Sequence, residues 1–334
     1  MSIYLSKNAR KRRWPKFVLG GVLSVALIAG LGLVGLWAYG RSLNGNLDRV
    51  DAIHPAPTAT PKATGAMNIL IVGSDSRDPS SADESRTDTI MLAHVNQQRD
   101  HVYLSSIARD TWVPVEGHGN AKINAAYAWG GASLLVQTVQ QYAGVTIDHL
   151  VMIDFAGFEK VVDTLGGVDM TVEKTIKSIH EPYRTFTAGS HHFNGAEALD
   201  WVRQRYQFAD GDFSRQKHQQ QLISAVIDQA TSLGILTDPA KLNAFLQAVT
   251  NAVTVDQQFD LVKTAFALRD LRSKDMTYLT SPHKGVSTKG NESVILPDPA
   301  GAAKLYAAFN SDTVAEYLAT ASPSPLSSVS ASAN

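Results

Sequence analysis

The stretch that decides the fold runs from Met67 to Thr111 and reads MNILIVGSDSRDPSSADESRTDTIMLAHVNQQRDHVYLSSIARDT. It contains three short apolar runs, which begin at Met67, Ile90 and His101, and each is rich in β-branched residues. Runs of this length and composition are typical of buried β-strands. Because short polar segments separate them, we expect an up, down and up meander within one sheet.

Charged residues cluster where these strands begin or end. If the first and third strands end at the edge where the second begins, three charged pairs meet on one rim of the sheet: Asp75 and Arg77, Arg86 and Asp88, Arg109 and Asp110. Ligand crevices in α/β sheets form beyond strand ends. Three acids and three arginines there indicate a metal ion together with a polyanion such as a pyrophosphate. The alternative is a set of solvated ion pairs.

The composition excludes several classes of protein. The chain has 334 residues, with 30 basic and 31 acidic residues and no cysteine. Six of the cations lie in residues 1–16, so the remainder is acidic, with 24 basic against 31 acidic residues. A nucleic-acid-binding domain is normally basic, so no nucleic-acid partner is expected. The absence of cysteine excludes disulfides, thiolate metal sites and a cysteine nucleophile.

The amino-terminal region predicts a membrane anchor. Residues 17–39 are apolar and uncharged, which is long enough to cross a bilayer at about 1.5 Å per residue. A cleaved signal peptide is the alternative, but its apolar core would be shorter. The basic tail of residues 1–16 orients the amino terminus to the cytoplasm. We therefore expect a single-pass cell-membrane protein with its carboxy-terminal domain outside the cell.

The remaining chain divides into three parts. Residues 40–66 contain a proline-spaced stretch, which predicts an extracytoplasmic stalk. Residues 321–334 are rich in serine, alanine and proline, which is typical of a disordered tail. Between them, residues 67–320 alternate strand-like and helix-like segments. These include a strand from Val168 to Val172, helices from Pro239 to Val253 and from Leu261 to Leu271, and two helical segments that are interrupted by Gly130 and Gly131. This alternation predicts an α/β domain with a mixed central sheet and helices on both faces.

Two arginine-containing segments outside the meander predict phosphate binding. Arg203 and Arg205 follow a predicted helix, and in an extended segment they point to the same side. Guanidinium groups suit phosphate oxygens, although a solvated surface pair is the alternative. Arg215 and Gln219 begin a stripe on a predicted helix from Ser214 to Leu233 that is apolar further along. Such polar groups need partners, either a bound polyanion or the nearby acids Asp210 and Asp212.

Taken together, these segments resemble the LytR-CpsA-Psr family of bacterial cell-envelope phosphotransferases. The matching segments, in order, are GSDSR (73–77), RTDT (86–89), SIARDT (106–111), KINAAY (122–127), DTLGGV (163–168), VRQR (202–205) and GDFSRQ (211–216). One departure is Ala108, where the family usually has proline. No histidine of the chain matches a family motif, which leaves a general base unassigned.

The resemblance implies an enzyme that moves a glycopolymer from a polyprenyl-pyrophosphate carrier to peptidoglycan. It implies that Asp75 and Asp88 hold Mg²⁺ and act in catalysis together with Arg86 and Arg109. The pyrophosphate-binding set that it implies is Arg77, Arg86, Arg109, Arg203, Arg205, Arg215 and Gln219. The implied partners are the lipid-linked glycan and the peptidoglycan acceptor. Two other functions remain open: hydrolysis of the pyrophosphate-linked glycan, and a non-catalytic regulator that binds polyprenyl phosphate.

Overall fold

The structure is a computed structural model, and it describes residues 40–54, 65–74, 87–232, 234–235 and 238–320. The predicted membrane anchor, most of the predicted stalk, the Ser-rich tail and the residues Asp75, Arg77 and Arg86 lie outside these ranges. The chain divides into two compact units at residue 45. In the first unit the described part is a short helical segment over residues 40–45. Within the described ranges, every helix is too short or too polar to cross a bilayer.

The second unit contains all the elements named below. Its strands are β1 (Asp48–Val50), β2 (Met67–Ser74), β3 (Thr87–Val95), β4 (Val102–Ile107), β5 (Trp112–Val115), β6 (Gly119–Lys122), β7 (His149–Asp154), β8 (Val168–Val172), β9 (Ile176–Lys177), β10 (Thr185–Phe186), β11 (Gly189–Phe193), β12 (Val253–Asp256), β13 (Met276–Thr280), β14 (His283–Lys289) and β15 (Glu292–Pro297). Its helices are α1 (Ala125–Ala143), α2 (Phe155–Thr164), α3 (Gly195–Arg203), α4 (Asp212–Ser232), α5 (Pro239–Thr250), α6 (Leu261–Ala267), α7 (Pro299–Ser311) and α8 (Val314–Thr320).

A mixed seven-stranded sheet forms the centre, in the order β1-β12-β7-β2-β3-β4-β13. The β2-β3 and β3-β4 pairs are antiparallel, so the predicted meander is confirmed. Strand β7 runs parallel to β2 on its other side, and β13 runs parallel to β4. The middle strands are almost wholly buried, which explains their apolar and β-branched composition.

Helices cover both faces of this sheet, as predicted. On one face, Leu70 and Leu92 pack in a cluster with Leu135 of α1 and Phe309 of α7. On the other face, the side chains of alternate strand residues pack with residues of α4 and of the segment after α6. Because successive strand residues point to opposite faces, both layers need apolar residues. The mixed α/β architecture therefore follows from the sequence pattern.

A smaller layer of ribbons and helices lies beside the sheet and carries part of the candidate site. The predicted strand β8 exists, but it pairs with β11 in a separate two-stranded ribbon rather than in the central sheet. This ribbon packs with α3 and α4 around the fully buried Trp201. The helix predicted from Pro239 to Val253 ends at Thr250, because Val253 begins β12. The helix predicted from Leu261 to Leu271 ends at Ala267.

Candidate active site

Four strand ends meet at one edge of the central sheet. Strands β2, β4 and β7 end there, and β3 begins there, because β2 is antiparallel to β3 and parallel to β7. Asp88 is the second residue of β3, and Arg109 lies two residues after β4. The predicted rim of charged residues therefore exists for the three members that the structure describes, Asp88, Arg109 and Asp110.

A cavity of about 210 Å³ opens at this edge. Six of the predicted site residues line it: Asp88, Arg109, Arg203, Arg205, Arg215 and Gln219. They come from β3, from the turn after β4, from the end of α3 and from the first two turns of α4. Residues that are up to about 130 positions apart in the chain thus surround one space. Their roles in binding or catalysis are still predictions.

Asp88 is the carboxylate at the centre of this cavity. Arg109 Nη1 donates a short hydrogen bond to Asp88 Oδ1. Arg215 Nη1 lies 3.8 Å from the same oxygen. Asp88 Oδ2 has no protein partner within the described part of the chain. One carboxylate oxygen therefore orients two arginines, while the other is available to a ligand.

Two further carboxylates, those of Asp110 and Asp212, pair with the arginines of the cavity. Arg205 Nη2 donates a hydrogen bond of 3.1 Å to Asp110 Oδ2, and Lys122 Nζ lies 3.6 Å from the other oxygen of Asp110. Arg215 Nη2 lies 2.5 Å from Asp212 Oδ1, so the alternative pairing of Arg215 with Asp212 is present. Asp110, in contrast to its neighbour Arg109, does not line the cavity. Both acids act as supports for the guanidinium groups.

The cluster carries an excess of positive charge. Among the described residues, four arginines face the cavity against the carboxylates of Asp88, Asp110 and Asp212. Arg203 has no carboxylate partner in the described ranges and instead lies over the Phe155 ring, 5.1 Å from its centroid. A net positive cavity of this kind favours a bound anion.

The pKa of Arg215 is shifted in the direction that this excess predicts, whereas the pKa of Arg109 is shifted in the opposite direction. Burial lowers the pKa of Arg215, the neighbouring cations Arg109 and Arg205 lower it further, and Asp212 and Asp88 oppose them only in part. Burial also acts to lower the pKa of Arg109, but the carboxylates around it outweigh that effect and raise the pKa. The Nε atoms of both side chains are buried and have no hydrogen-bond partner in the described residues. An added anion would stabilise Arg215 in particular.

Part of the cavity wall is apolar. It is lined by Ile71, Met91, Ile153, Phe155, Phe158, Leu199, Val202, Leu222 and Ile223. Two more lining residues, Ile179 and Tyr206, are 46% and 76% exposed, so they mark the opening to solvent. On α4 the change from Arg215 and Gln219 to Leu222 reproduces the predicted stripe. The cavity therefore suits an amphipathic ligand with an anionic end and an apolar end.

The donor set fits Mg²⁺ to a limited extent. Mg²⁺ in phosphate sites is held by one or two carboxylates, with substrate phosphates and waters completing its coordination. Asp88 supplies one carboxylate that lines the cavity, and its Oδ2 has no partner among the described residues. No group of three or more acidic or imidazole side chains that could hold a metal occurs within the ranges that the structure describes. The second predicted ligand, Asp75, lies outside them.

Local hydrogen bonds explain why Ala108 can replace the proline that the family usually has. Thr111 donates to the Ala108 carbonyl oxygen twice, from its backbone nitrogen at 2.9 Å and from its hydroxyl at 2.6 Å. The Arg109 carbonyl oxygen also accepts a hydrogen bond from the Asn124 backbone nitrogen at 3.2 Å. The turn that presents Arg109 is therefore fixed without a proline ring.

One cavity-lining residue with functional chemistry was not predicted from the sequence. His180 lies in the loop between β9 and β10 and lines the cavity. Because His180 lies in an irregular loop, neither helical nor strand periodicity relates its position to that of the arginines. The structure alone brings its imidazole to the site.

Comparison with known proteins agrees with the geometry. The model of the LytR_cpsA_psr family matches residues 41–307. The chain is 30% identical over 249 residues to the polyisoprenyl-teichoic acid–peptidoglycan teichoic acid transferase TagU of Enterococcus faecalis, covering 74% of this chain and 80% of that protein. It is 29% identical over 322 residues to the cell wall biosynthesis protein LcpA of Corynebacterium glutamicum, covering 82% of this chain.

The matches cover different shares of this chain and of each relative. The chain spans 61% of the length of the Corynebacterium protein, so that relative contains regions without a counterpart here. The crystal structure of TagV from B. subtilis superposes with a TM-score of 0.64 at 25% identity, covering 76% of this chain and 98% of that structure. The family match covers most of the chain, including all the described residues that line the cavity. The chain belongs to the LytR-CpsA-Psr family.

Proposed function

We propose that the chain is a membrane-anchored, extracytoplasmic phosphotransferase that moves a glycopolymer from a polyprenyl-pyrophosphate carrier to peptidoglycan. The observation that carries the proposal is the single cavity that combines four arginines with an apolar wall. A polyprenyl pyrophosphate has the same two parts, a polyanion and a hydrocarbon chain. The names of the family relatives, which include a teichoic acid–peptidoglycan transferase, support the same class of reaction.

In this proposal the guanidinium groups hold the pyrophosphate. Arg109 and Arg215 are oriented by Asp88, and Arg205 is oriented by Asp110. Their remaining N–H groups, together with Arg203, which has no carboxylate partner among the described residues, are available to phosphate oxygens. Phosphoryl transfer depends mainly on positioning and on stabilising charge in the transition state. The fixed fork of arginine supplies both.

The apolar wall would hold the first isoprene units of the carrier. Leu222 and Val202 are buried, and they line the cavity beside the cationic cluster. Each methylene group that leaves water contributes about 0.8 kcal/mol. The hydrocarbon chain therefore adds affinity and orients the pyrophosphate toward the arginines.

We propose Mg²⁺ as the cofactor, held by Asp88 and by Asp75. The ion would neutralise phosphate charge and polarise the phosphoryl group. Asp88 lines the cavity, and one of its oxygens has no partner within the part of the chain that the structure describes, which is the feature that supports this assignment. Arg86 and Arg77, which follow Asp75 in the chain, are proposed as additional phosphate ligands.

The reaction joins an acceptor hydroxyl of peptidoglycan to the phosphorus that carries the glycan. A new P–O bond forms with the hydroxyl oxygen, the bond to the bridging oxygen breaks, and polyprenyl phosphate leaves. The substrate brings its own leaving group, so the reaction needs no nucleotide. An anchor over residues 17–39 would keep the cavity close to the bilayer in which the carrier resides.

The test is a transfer assay with the full-length protein in detergent micelles. The protein is incubated with lipid-pyrophosphate-linked glycan, peptidoglycan and Mg²⁺, and products are identified by mass spectrometry. The proposal predicts a phosphodiester-linked glycan on peptidoglycan, and predicts that Asp88→Asn and Arg109→Met abolish it. Asp169→Asn is a matched control, because the Asp169 side chain points to solvent from β8 and does not line the cavity.

Three outcomes of the assay would replace the proposal. Release of free glycan phosphate irrespective of peptidoglycan identifies a hydrolase. Tight binding of the lipid without turnover identifies a regulator that only binds the carrier. If the Asp88→Asn variant transfers glycan at the wild-type rate, the cavity is not the site of the reaction.

A further inference from the structure

Arg203 is held differently from the other arginines that line the described cavity. Those other arginines contact the carboxylates of Asp88 or Asp110. Arg203 has no carboxylate partner among the described residues, and its guanidinium carbon lies 5.1 Å from the centroid of the Phe155 ring. A long side chain without an orienting partner loses rotamer freedom when it binds a ligand, which weakens binding. Within the described ranges, the Phe155 ring is the group placed to orient Arg203.

The contact between Arg203 and Phe155 has the distance of a cation–π pair. A guanidinium group within about 6 Å of an aromatic centroid is attracted by the quadrupole of the ring. Both side chains line the cavity, and Phe155 is half-buried; desolvation strengthens such an attraction. Unlike a carboxylate, the ring carries no net charge. It therefore holds the guanidinium group without cancelling the positive charge that an anion would meet.

The packing of α2 against α3 brings the two residues together. The backbone nitrogen of Gly195, at the start of α3, donates to Asp163 Oδ1 near the end of α2 at 2.8 Å. A Cβ at Gly195 would lie 2.2 Å from the Glu159 carbonyl oxygen, so this close approach requires glycine. Phe155 begins α2 and Arg203 ends α3. The two helices therefore run antiparallel, and they place the ring beside the guanidinium group at the cavity.

Local contacts fix the start of α2, which carries the ring. Asp154 caps the amino terminus of α2, and its side chain accepts a hydrogen bond from the Gly157 backbone nitrogen at 2.6 Å. The Asp154 backbone nitrogen donates to the Ala252 carbonyl oxygen at 3.2 Å. A Cβ at Gly157 would lie 2.4 Å from Ala252 Cα, so the first turn of α2 packs directly on that segment. The backbone of Phe155 therefore has little freedom to move.

A buried hydrogen-bond network fixes the backbone beside Arg203. Gln204, the next residue, is fully buried. Its Nε2 atom donates to Ser178 Oγ at 2.9 Å and to Asp200 Oδ1 at 2.7 Å. A buried and satisfied network of this kind rigidifies the groups attached to it. The network restrains the backbone of Arg203 but not its side-chain torsions, and the Phe155 ring supplies that second restraint.

We propose that Phe155 is a positioning residue, which holds the Arg203 guanidinium group in place for a phosphate group of the substrate. This proposal rests on the proposed function, because that function assigns a pyrophosphate to the cavity. Phe155 then acts on the anionic part of the ligand through Arg203, in addition to lining the apolar part of the cavity. A hydrocarbon side chain thereby controls the affinity for an inorganic anion, an effect that an apolar wall alone does not produce.

The experiment measures the binding of inorganic pyrophosphate by calorimetric titration of the full-length protein in micelles, with Mg²⁺ present. Inorganic pyrophosphate has no hydrocarbon chain, so its affinity does not report on the apolar wall. Phe155→Leu is expected to weaken this binding about three- to tenfold, whereas Phe155→Tyr keeps the ring and is expected to bind within about twofold of wild type. In the Arg203→Met background, Phe155→Leu is expected to change the affinity by less than about twofold, because the ring no longer has a cation to hold.

The matched control is Phe266→Leu. The guanidinium carbon of Arg269 lies 4.1 Å from the centroid of the Phe266 ring, but neither residue lines the cavity. The same substitution at this second arginine–phenylalanine pair should therefore leave pyrophosphate binding unchanged. Urea unfolding checks that Phe155→Leu is folded. If it is not, Phe155→Met takes its place with the same expected result, because methionine fills an irregular gap without an aromatic face.

The outcomes separate this proposal from the function on which it rests. If Phe155→Leu binds pyrophosphate as tightly as wild type, the positioning role is wrong, and transfer by wild type still supports the proposed function. If Phe155→Leu weakens binding equally in the wild-type and Arg203→Met backgrounds, the ring does not act through Arg203 and the proposal is also wrong. If the variants behave as expected but wild type transfers no glycan, the positioning role stands and the proposed function fails. If wild type binds no pyrophosphate, both fail.

Discussion

Replacing Arg215 separates the structural role of the cationic cluster from its proposed role in binding. Arg215 is 5% exposed, and it pairs with Asp212, whose side chain is also almost fully buried. Arg215→Met keeps the length of the side chain but removes its charge. Among the described residues, the remaining ion pair of Asp212 would then be with Arg205 Nε at 3.9 Å. Breaking a buried pair from one side costs about 3–5 kcal/mol, and we expect that loss of unfolding free energy.

The double variant Arg215→Met with Asp212→Asn tests the cause of this loss. Neutralising Asp212 removes the buried charge, and the asparagine oxygen can still accept the hydrogen bond that Gln216 Nε2 donates at 3.2 Å. Replacing both members of a buried pair is often close to neutral. We therefore expect the double variant to recover most of the lost stability, as measured by urea unfolding of the full-length protein in micelles.

Transfer activity is expected to behave differently. The double variant still lacks the guanidinium group at the cavity, and removing one transition-state donor costs about 10²–10³-fold in turnover. Recovered stability with transfer still reduced by that factor supports the reasoning. The reasoning is refuted if Arg215→Met is as stable as wild type, or if the double variant regains wild-type transfer.

Three further predictions concern stability, packing and the apolar wall. Burial acts to raise the pKa of Asp256, but hydrogen bonds from an imidazole and two backbone N–H groups outweigh it and lower the pKa below 3.8. The ionised carboxylate therefore stabilises the fold fully above pH 3.8, and this stabilisation is lost as the pH falls through the lowered pKa. Asp256→Asn should flatten the acid side of the plot of unfolding free energy against pH, and an unchanged plot would contradict this. Gly195→Ala would place a Cβ 2.2 Å from the Glu159 carbonyl oxygen, and it should lower the free energy of unfolding in urea by about 1–3 kcal/mol. A Cβ at Gly45 meets no atom within 4 Å, so Gly45→Ala should change the free energy of unfolding by less than about 0.5 kcal/mol. Equal effects of the two variants would refute the packing argument. Ile223→Trp should displace about two methylene groups of a bound hydrocarbon chain, at about 0.8 kcal/mol each. The KM for a long-chain carrier should therefore rise on the order of tenfold, while the KM for a short-chain carrier should change little. An equal change for both chain lengths would contradict the assignment of the apolar wall.

The central part of the fold could be predicted because its signals are local. The apolar runs of β2, β3 and β4 and the turns between them specify a meander without information from elsewhere. The break in α1 also follows from local sequence, because Gly131 adopts a positive φ of 62°. In contrast, the pairing of β8 with β11 was missed. Which strand pairs with β8 depends on long-range packing around Trp201, which no short window of sequence contains.

The candidate site shows the same division. Asp88 and Arg109 could be placed together because adjacent strands of a meander share an edge. Arg215 and Gln219 could be placed by helical periodicity. His180 could not, because an irregular loop carries it and a buried network with Asp200, formed in the folded chain, holds it in place. A sequence pattern records spacing along the chain, whereas this network depends on residues that become neighbours only after folding.

The account depends on one cavity that binds both parts of a prenyl pyrophosphate, with the phosphates on the arginines and the hydrocarbon chain on the apolar wall. The most direct measurement is calorimetric titration of the full-length protein with a short prenyl pyrophosphate, with inorganic pyrophosphate and with the matching prenyl alcohol, each with Mg²⁺ present. We predict that the intact lipid binds at least about a hundredfold more tightly than inorganic pyrophosphate, because about four buried methylene groups add about 0.8 kcal/mol each. The intact lipid should also bind more tightly than the prenyl alcohol, because the alcohol lacks the phosphate oxygens that the arginines would hold. We also predict that Arg205→Gln weakens the binding of both pyrophosphates. Equal affinity for inorganic and prenyl pyrophosphate, or binding that does not change in Arg205→Gln, would contradict the account.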